Sequence, residues 1–318
     1  EARLERLPPD HPIWFAEQNV DPTSIADDFW VYGVQACCRT AVFYIPRSLS
    51  CRWEQSDLLF RRDRGTKSIR SQIDGAVRIG QNLIAYATGR ELKDKLDGRM
   101  VIDASNRSEP SRESIQLATL AIDAGGQEAR RALPNAAAMI AAQTEIPIAA
   151  APRPIGFDAE QLRDVSILWI HGRTDFSLSE AQTEILREFV ESGGVILGAA
   201  VCGAPEFAEA FRREIAKILP DAALRPVPAN HPLMTVSHGY DVRQITIRTP
   251  ATGGKQISRR RGPPQLEMAE YDNLAAVFFS PLDLSCALES PNSVQCPGYS
   301  TEDAAKIVAN LVLFTLSQ

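Results

Sequence analysis

Six cysteines and four histidines are the residues of this chain best suited to nucleophilic, acid–base or metal chemistry. Cys202 has the most patterned setting. The run Gly193-Gly194-Val195-Ile196-Leu197-Gly198-Ala199-Ala200-Val201-Cys202-Gly203-Ala204-Pro205-Glu206-Phe207 reads as a buried strand, a sharp turn and a helix start. Pro205 suits a first helical position, and Phe207, Phe211, Ile215 and Leu219 recur every four residues as one helical stripe. A cysteine between such a strand and helix lies where open α/β sheets bind ligands. The helix's free N–H groups would lower the thiol pKa, and with Gly203 they would form an oxyanion hole. The competing reading is a small buried cysteine among Ala199, Ala200 and Val201, which is the commoner fate of a free thiol.

A nucleophilic thiol needs a base and a group to orient it. His231 is the first candidate base and His171, at a strand end, the second, with Glu206 or Asp175 as the carboxylate. A ligand crevice at the same strand ends would use Arg173, Asp175, Gly203 and Glu206. Against catalysis, His231-Pro232 is matched by His11-Pro12, and a proline simply biases its predecessor toward extended backbone. The histidines show no His-x-x-x-His spacing, and Cys286 and Cys296 no Cys-x-x-Cys spacing. Cys51 and Cys286 are single cysteines in separate domains, so no metal site is expected. Neither Gly125-Gly126 nor Gly253-Gly254 fits a phosphate loop or dinucleotide fingerprint, and no cofactor is expected.

The elements that must position these residues fall into an internal repeat. Leu7-Pro8-Pro9-Asp10-His11-Pro12-Ile13 returns as Val227-Pro228-Ala229-Asn230-His231-Pro232-Leu233. Ala41 to Cys51, ending Leu-Ser-Cys, returns as Ala276 to Cys286, Glu54 matches Glu289, and Asn82 matches Asn310. The second copy has a long stretch before its His-Pro that the first lacks. Residues 1–92 therefore read as the carboxyl-terminal part of a first domain, 93–114 as a linker, and 115–318 as a complete second domain. That domain alternates in α/β fashion, with strands expected at Ile115–Ile122, Ile146–Ala151, Val165–Ile170, Val195–Leu197, Val242–Ile247, Leu266–Ala269 and Ala275–Phe279. A helix is expected from Pro134 to Ala142, and a capping box at Ser177 to Glu180 starts the next. The arginine runs Arg61-Arg62-Asp63-Arg64 and Arg259-Arg260-Arg261 read as solvated loops.

A net charge of −6 argues against nucleic-acid binding, and no apolar run approaches a bilayer span. Six cysteines in 318 residues are too sparse for a disulfide scaffold, which points to a reduced, cytoplasmic setting. The chain starts at Glu1 in patterned sequence, so a fragment with an upstream segment is expected.

On these residues the second domain resembles a bacterial family known as domain of unknown function 4159. The resembling stretches are Leu168 to Ser177, Leu186 to Val190 with Gly193-Gly194, Cys202-Gly203, Phe211 to Glu214, His231-Pro232 and Ser280 to Leu284. Leu7 to Ile13 and Ser50 to Glu54 carry a closer version of the ending. The resemblance implies a class I glutamine amidotransferase-like fold, a flavodoxin-like three-layer sandwich, preceded by a partial copy. Ala199 and Ala200 stand where family members carry an acidic pair, Arg173 stands near a usual histidine, and no His-x-Glu pair follows a late strand. The reading is a catalytically degenerate module that binds a protein partner or small molecule. A cysteine-dependent hydrolase or amidase and a small-ligand or carbohydrate-binding domain are the alternatives.

Overall fold

The computed structural model describes residues 4–7, 9, 11–36, 39–56, 67–88, 115–126, 129–144, 146–151, 153–250, 257–289 and 296–318. Two compact units emerge, Glu1–Ile102 and Asp103–Gln318. The expected linker 93–114, Cys37-Cys38 and the run Arg61–Arg64 lie outside the described residues.

In the first unit, β1 (Leu4–Arg6), β2 (Tyr32–Ala36) and β3 (Arg39–Tyr44) form an antiparallel sheet in the order β1-β2-β3. A short α1 (Ser50–Glu54) and a long α2 (Lys67–Thr88) follow. Leu7, Ile13, Trp14, Phe29, Val31, Ala76 and Ile79 make the core.

The second unit has β4 (Ile115–Thr119), α3 (Ala132–Gln143), β5 (Ile148–Ala150), α4 (Ala159–Leu162), β6 (Ile167–Gly172), α5 (Glu180–Glu191), β7 (Val195–Ala200) and α6 (Pro205–Ile218). It continues with β8 (Arg225–Pro226), β9 (Ile245–Pro250), β10 (Ile257–Gly262), β11 (Glu267–Tyr271), β12 (Leu274–Ser280), α7 (Ser285–Glu289), β13 (Gly298–Tyr299) and α8 (Thr301–Leu316). The main sheet runs β5-β4-β6-β7-β12-β11-β8. Its first five strands are parallel, and β11 and β8 close one edge antiparallel. Strands covered on both faces carry apolar residues at every position, and each residue of β6 and of β7 is buried.

Alternate side chains of these strands meet different helices. Leu168, Ile170, Ile196, Ala200 and Phe279 join Leu186, Phe189, Phe207, Phe211 and Ile215 of α5 and α6 in one cluster. The helices α3, α7 and α8 pack against one another in a second group. The stripe expected after Pro205 is buried at each of its four positions, with Leu219 as the helix's C-cap. Gly194 and Gly198 leave room for rings: a Cβ on Gly198 would stand at 2.6 Å from Phe211 Cε2. Gly193, at φ +94°, ends α5 as expected of a glycine after a helix.

Several expectations shift. The capping box of α5 is Ser179 with Gln182, not Ser177 with Glu180, because the helix starts at Glu180 and Ser179 is its extended N-cap. The third parallel strand extends two residues further, so His171 and Gly172 are strand residues paired with Ala199 and Ala200. Arg259-Arg260-Arg261 lies in strand β10, paired antiparallel with β9, while its side chains remain exposed.

The His-Pro turns are built alike in both units. His11 and His231 each cap a one-turn 3-10 helix, with Nδ1 accepting the N–H two residues on at 3.0 and 3.2 Å. An asparagine of the unit's last long helix then locks each turn. Asn82 donates to Ile13 O and Gln18 O and accepts from the N–H groups of Glu17 and Gln18. Asn310 donates to Leu233 O and Tyr240 O and accepts from Tyr240 N–H.

Candidate functional site

The carboxyl ends of β7 and β12 are neighbours in the parallel sheet, with Ser280 paired to Ala199. The loops that leave these two strands therefore meet at one end of the sheet. After β7 the chain turns sharply through Cys202 and Gly203, at φ +54° and +61°. A non-glycine residue in the left-handed region carries strain that persists only where the surroundings enforce it. Gly203 is the next constraint, since a Cβ there would stand at 3.2 Å from Pro297 O and 3.3 Å from Pro297 Cβ. Pro205 then opens α6. This is the strand–elbow–helix setting expected for Cys202.

Two things fill that elbow. The Cys202 N–H donates to Asp283 Oδ1 at 2.9 Å. The Cys202 sulfur is joined to Cys296 in a disulfide. Cys286 Sγ lies 3.6 Å from Cys202 Sγ and 3.9 Å from Cys296 Sγ. Among the described residues, these three sulfurs are the group of metal-ligating type, and neither candidate histidine belongs to it. Cys202 is partly exposed, while Cys286 and Cys296 are buried.

Asp283 organises the cluster. Its Oδ1 also accepts the Cys286 N–H at 3.1 Å, and Oδ2 accepts the Ala287 N–H at 3.2 Å, an N-terminal cap for α7. Its own N–H donates to Pro297 O at 3.0 Å, beside Cys296. Burial pushes the Asp283 carboxyl above the usual carboxylate range, against the lowering pull of the Cys286 and Cys202 N–H groups, the Cys286 thiol and the Arg248 charge. Arg248, on β9, is 5% exposed. Burial draws its guanidinium below the ordinary value, while attraction to Asp283 and Cys286 opposes that.

His171 reaches the same strand end but makes other contacts. Its Nδ1 is 3.1 Å from Ser285 Oγ, next to Cys286, and its ring lies edge-on to Trp169. Gly126 is the residue that lets the ring fit, because a Cβ there would stand at 3.1 Å from Nε2. Burial lowers the His171 pKa to about 4, so the ring is neutral near pH 7. His231 is placed elsewhere. Its ring caps its own turn and packs on Phe314, 13 residues and roughly 20 Å along α8 from Thr301. Since α8 starts beside the cysteine end of the sheet, the structure does not bring His231 to Cys202.

The expected carboxylates and arginine also disperse. Asp175 is exposed and paired with Arg213 at 2.9 Å on the α6 side. Arg213 and Lys217 in turn hold the buried Glu214. Burial works to raise that carboxyl, but bonds from Lys217, the Leu178 N–H and Arg213 outweigh it and leave its pKa lowered. Glu206 is exposed on the first turn of α6. Arg173 runs its aliphatic stem past Gly125, whose Cβ would stand at 2.9 Å from Arg173 Cγ.

Sequence reasoning missed Asp283, Cys286 and Cys296 as partners of Cys202, and Arg248 as the charge beside Asp283 and Cys286. One signal was available: Asp283, three residues before Cys286, has the type and spacing of a helix cap. Glu289 was matched to Glu54 but given no role. It is buried, and it accepts from Arg131 N–H at 2.6 Å and Arg131 Nε at 2.9 Å. A groove of about 680 Å³ lies in the first unit, lined by residues such as Arg6, Trp14, Asp28 and Trp30.

A family described as "Domain of unknown function (DUF4159)" matches residues 116–316. No curated protein matches the chain. Among solved structures, the α-L-fucosidase isoenzyme 2 from Paenibacillus thiaminolyticus is similar over 84% of this chain at 11% identity, with a TM-score of 0.26. The chain spans 41% of that protein's length. So distant a likeness carries no argument about function.

Proposed function

The chain belongs to the DUF4159 family, and from that premise we propose that its second unit is a class I glutamine amidotransferase-like module that no longer hydrolyses amides. Its role is binding or assembly, with a protein partner or small molecule. The parallel order β5-β4-β6-β7-β12 supports a flavodoxin-like sandwich. Numbered from β4 in chain order, it reads 2-1-3-4-5, with the crevice at the strand ends. The matched His-Pro turns, each locked by an asparagine, support reading the first unit as a partial copy of the same domain.

The observation that carries the non-hydrolytic reading is the state of the elbow. An acyl-transfer nucleophile needs a free thiolate, a base within reach and N–H groups aimed at the developing oxyanion. Here the Cys202 sulfur is bonded to Cys296, and its N–H is already engaged by the Asp283 carboxylate. His171 and His231 are committed to Ser285 and to a 3-10 turn.

The test is ammonia release from glutamine and a panel of simple amides by the full chain, oxidised and reduced, beside Cys202→Ser. The expected result is no difference among them, where working enzymes turn over at roughly 1–10³ s⁻¹. Turnover that depends on Cys202 would overturn the reading. It would favour the second one, a cysteine-dependent hydrolase, to which the positive φ of Cys202 is the pointer.

A further inference from the structure

Three sulfurs spread over 94 residues of sequence meet within 4.8 Å of one another at the sheet's end. Two chemistries use such a trio: thiol–disulfide exchange and metal ligation. Exchange requires the attacking sulfur to approach along the S–S axis. Its distances to the two bonded sulfurs would then differ by about the 2 Å of that bond. The Cys286 distances differ by only 0.3 Å (3.9 − 3.6), so Cys286 stands side-on. Side-on placement is what ligands around one centre adopt. Thiolates at about 2.3 Å from a tetrahedral zinc lie about 3.8 Å apart, close to both of these edges.

We propose that, once the Cys202–Cys296 disulfide is reduced, Cys202, Cys286 and Cys296 form a three-thiolate site for one thiophilic divalent cation of the zinc class. The fourth position is taken by water or an incoming ligand. A dithiol supplies two electrons and two protons and leaves as a cyclic disulfide; a phosphine supplies the two electrons while water gives the two thiol protons and the oxygen of the phosphine oxide. The cation then binds three sulfurs as their three protons pass to solvent.

The framework for this site does not depend on the disulfide. Asp283 takes the N–H groups of Cys202 and Cys286, and through its own N–H it holds Pro297, next to Cys296. One buried residue thus ties all three ligand segments together, as outer partners do in metal sites. Charge selects the ion. Three thiolates around a divalent cation carry −1, which the neighbouring buried Arg248 offsets; around a monovalent cation they would carry −2. The inference reverses the expectation of no metal, and it stands whether or not the unit is amidotransferase-like.

The test titrates the phosphine-reduced full chain with Co²⁺ in the absence of oxygen. The expected result is about one ion per chain, with thiolate-to-cobalt charge transfer and intense tetrahedral ligand-field bands that Zn²⁺ abolishes. Cys286→Ser should weaken binding at least about tenfold. That variant keeps the Cys202–Cys296 pair, so recovery of the disulfide on reoxidation certifies its fold. Cys51→Ser should bind like the unsubstituted chain. A reduced chain that gives no charge-transfer band, or a Cys286→Ser variant that binds as tightly as the original, overturns the proposal.

Discussion

The two units share one device and differ in what stands beside it. His11 with Asn82, and His231 with Asn310, build the same locked turn from the same atoms. The Leu-Ser-Cys segments are matched in sequence yet unlike in surroundings. Cys51 is exposed, with the Ser48 hydroxyl 3.5 Å from its sulfur. Cys286 is buried in the sulfur cluster, and Asp283 stands where the first unit has Ser48. The difference teaches that the locked turn is scaffold, while a matched segment can carry different chemistry in each unit. The chemistry-bearing residues of the second unit are the elbow after β7 together with Asp283, Cys286 and Cys296.

If the locks are equivalent, breaking either should cost the same. Asn82→Ala and Asn310→Ala each strand several buried backbone groups, so each should destabilise its unit by about 4 kcal/mol in denaturant unfolding. Unequal losses would break the equivalence. The matched glutamates should behave in the opposite way. Glu289→Ala removes the partner of Arg131 inside the second unit and should cost about 3 kcal/mol, whereas Glu54→Ala at an exposed site should cost under about 0.5.

Acid should also act on the second unit through His171. The His171 pKa is lowered to about 4 in the fold. Below about 6.5 the unfolded chain takes up a proton that the native chain refuses. Stability contributed by neutral His171 is therefore complete above pH 6.5 and is lost as pH falls from 6.5 toward 4, by up to about 3 kcal/mol. Unfolding midpoints across that range should flatten in His171→Gln. An unchanged pH dependence in that variant would assign the acid lability elsewhere. Smallest of all, Cys51→Ser should leave stability within about 0.5 kcal/mol.

The scaffold was legible because its signals are periodic. The four-residue spacing of Phe207, Phe211, Ile215 and Leu219 marked α6, and Gly193-Gly194 before Val195-Ile196-Leu197 marked β7. Strand ends were less legible, since pairing with Ala199 and Ala200 is what carries β6 on to Gly172. The arginine run of β10 looked like a loop because Ser258 to Arg261 are exposed, the strand being held by its ladder to β9. The sulfur cluster was illegible for a different reason. Cys202, Cys286 and Cys296 share no metal-site spacing, and they meet through the adjacency of β7 and β12 and the Asp283–Pro297 hydrogen bond. His231 misled because a histidine that caps its own turn has the same sequence signature as a free base.

The central claim is that the elbow thiol is engaged rather than poised. Peptide-mapped alkylation of the native, unreduced chain with iodoacetamide tests it most directly. The account predicts rapid modification of exposed Cys51 and recovery of Cys202 linked to Cys296. A Cys202 that is alkylated as fast as Cys51, or faster, would contradict it.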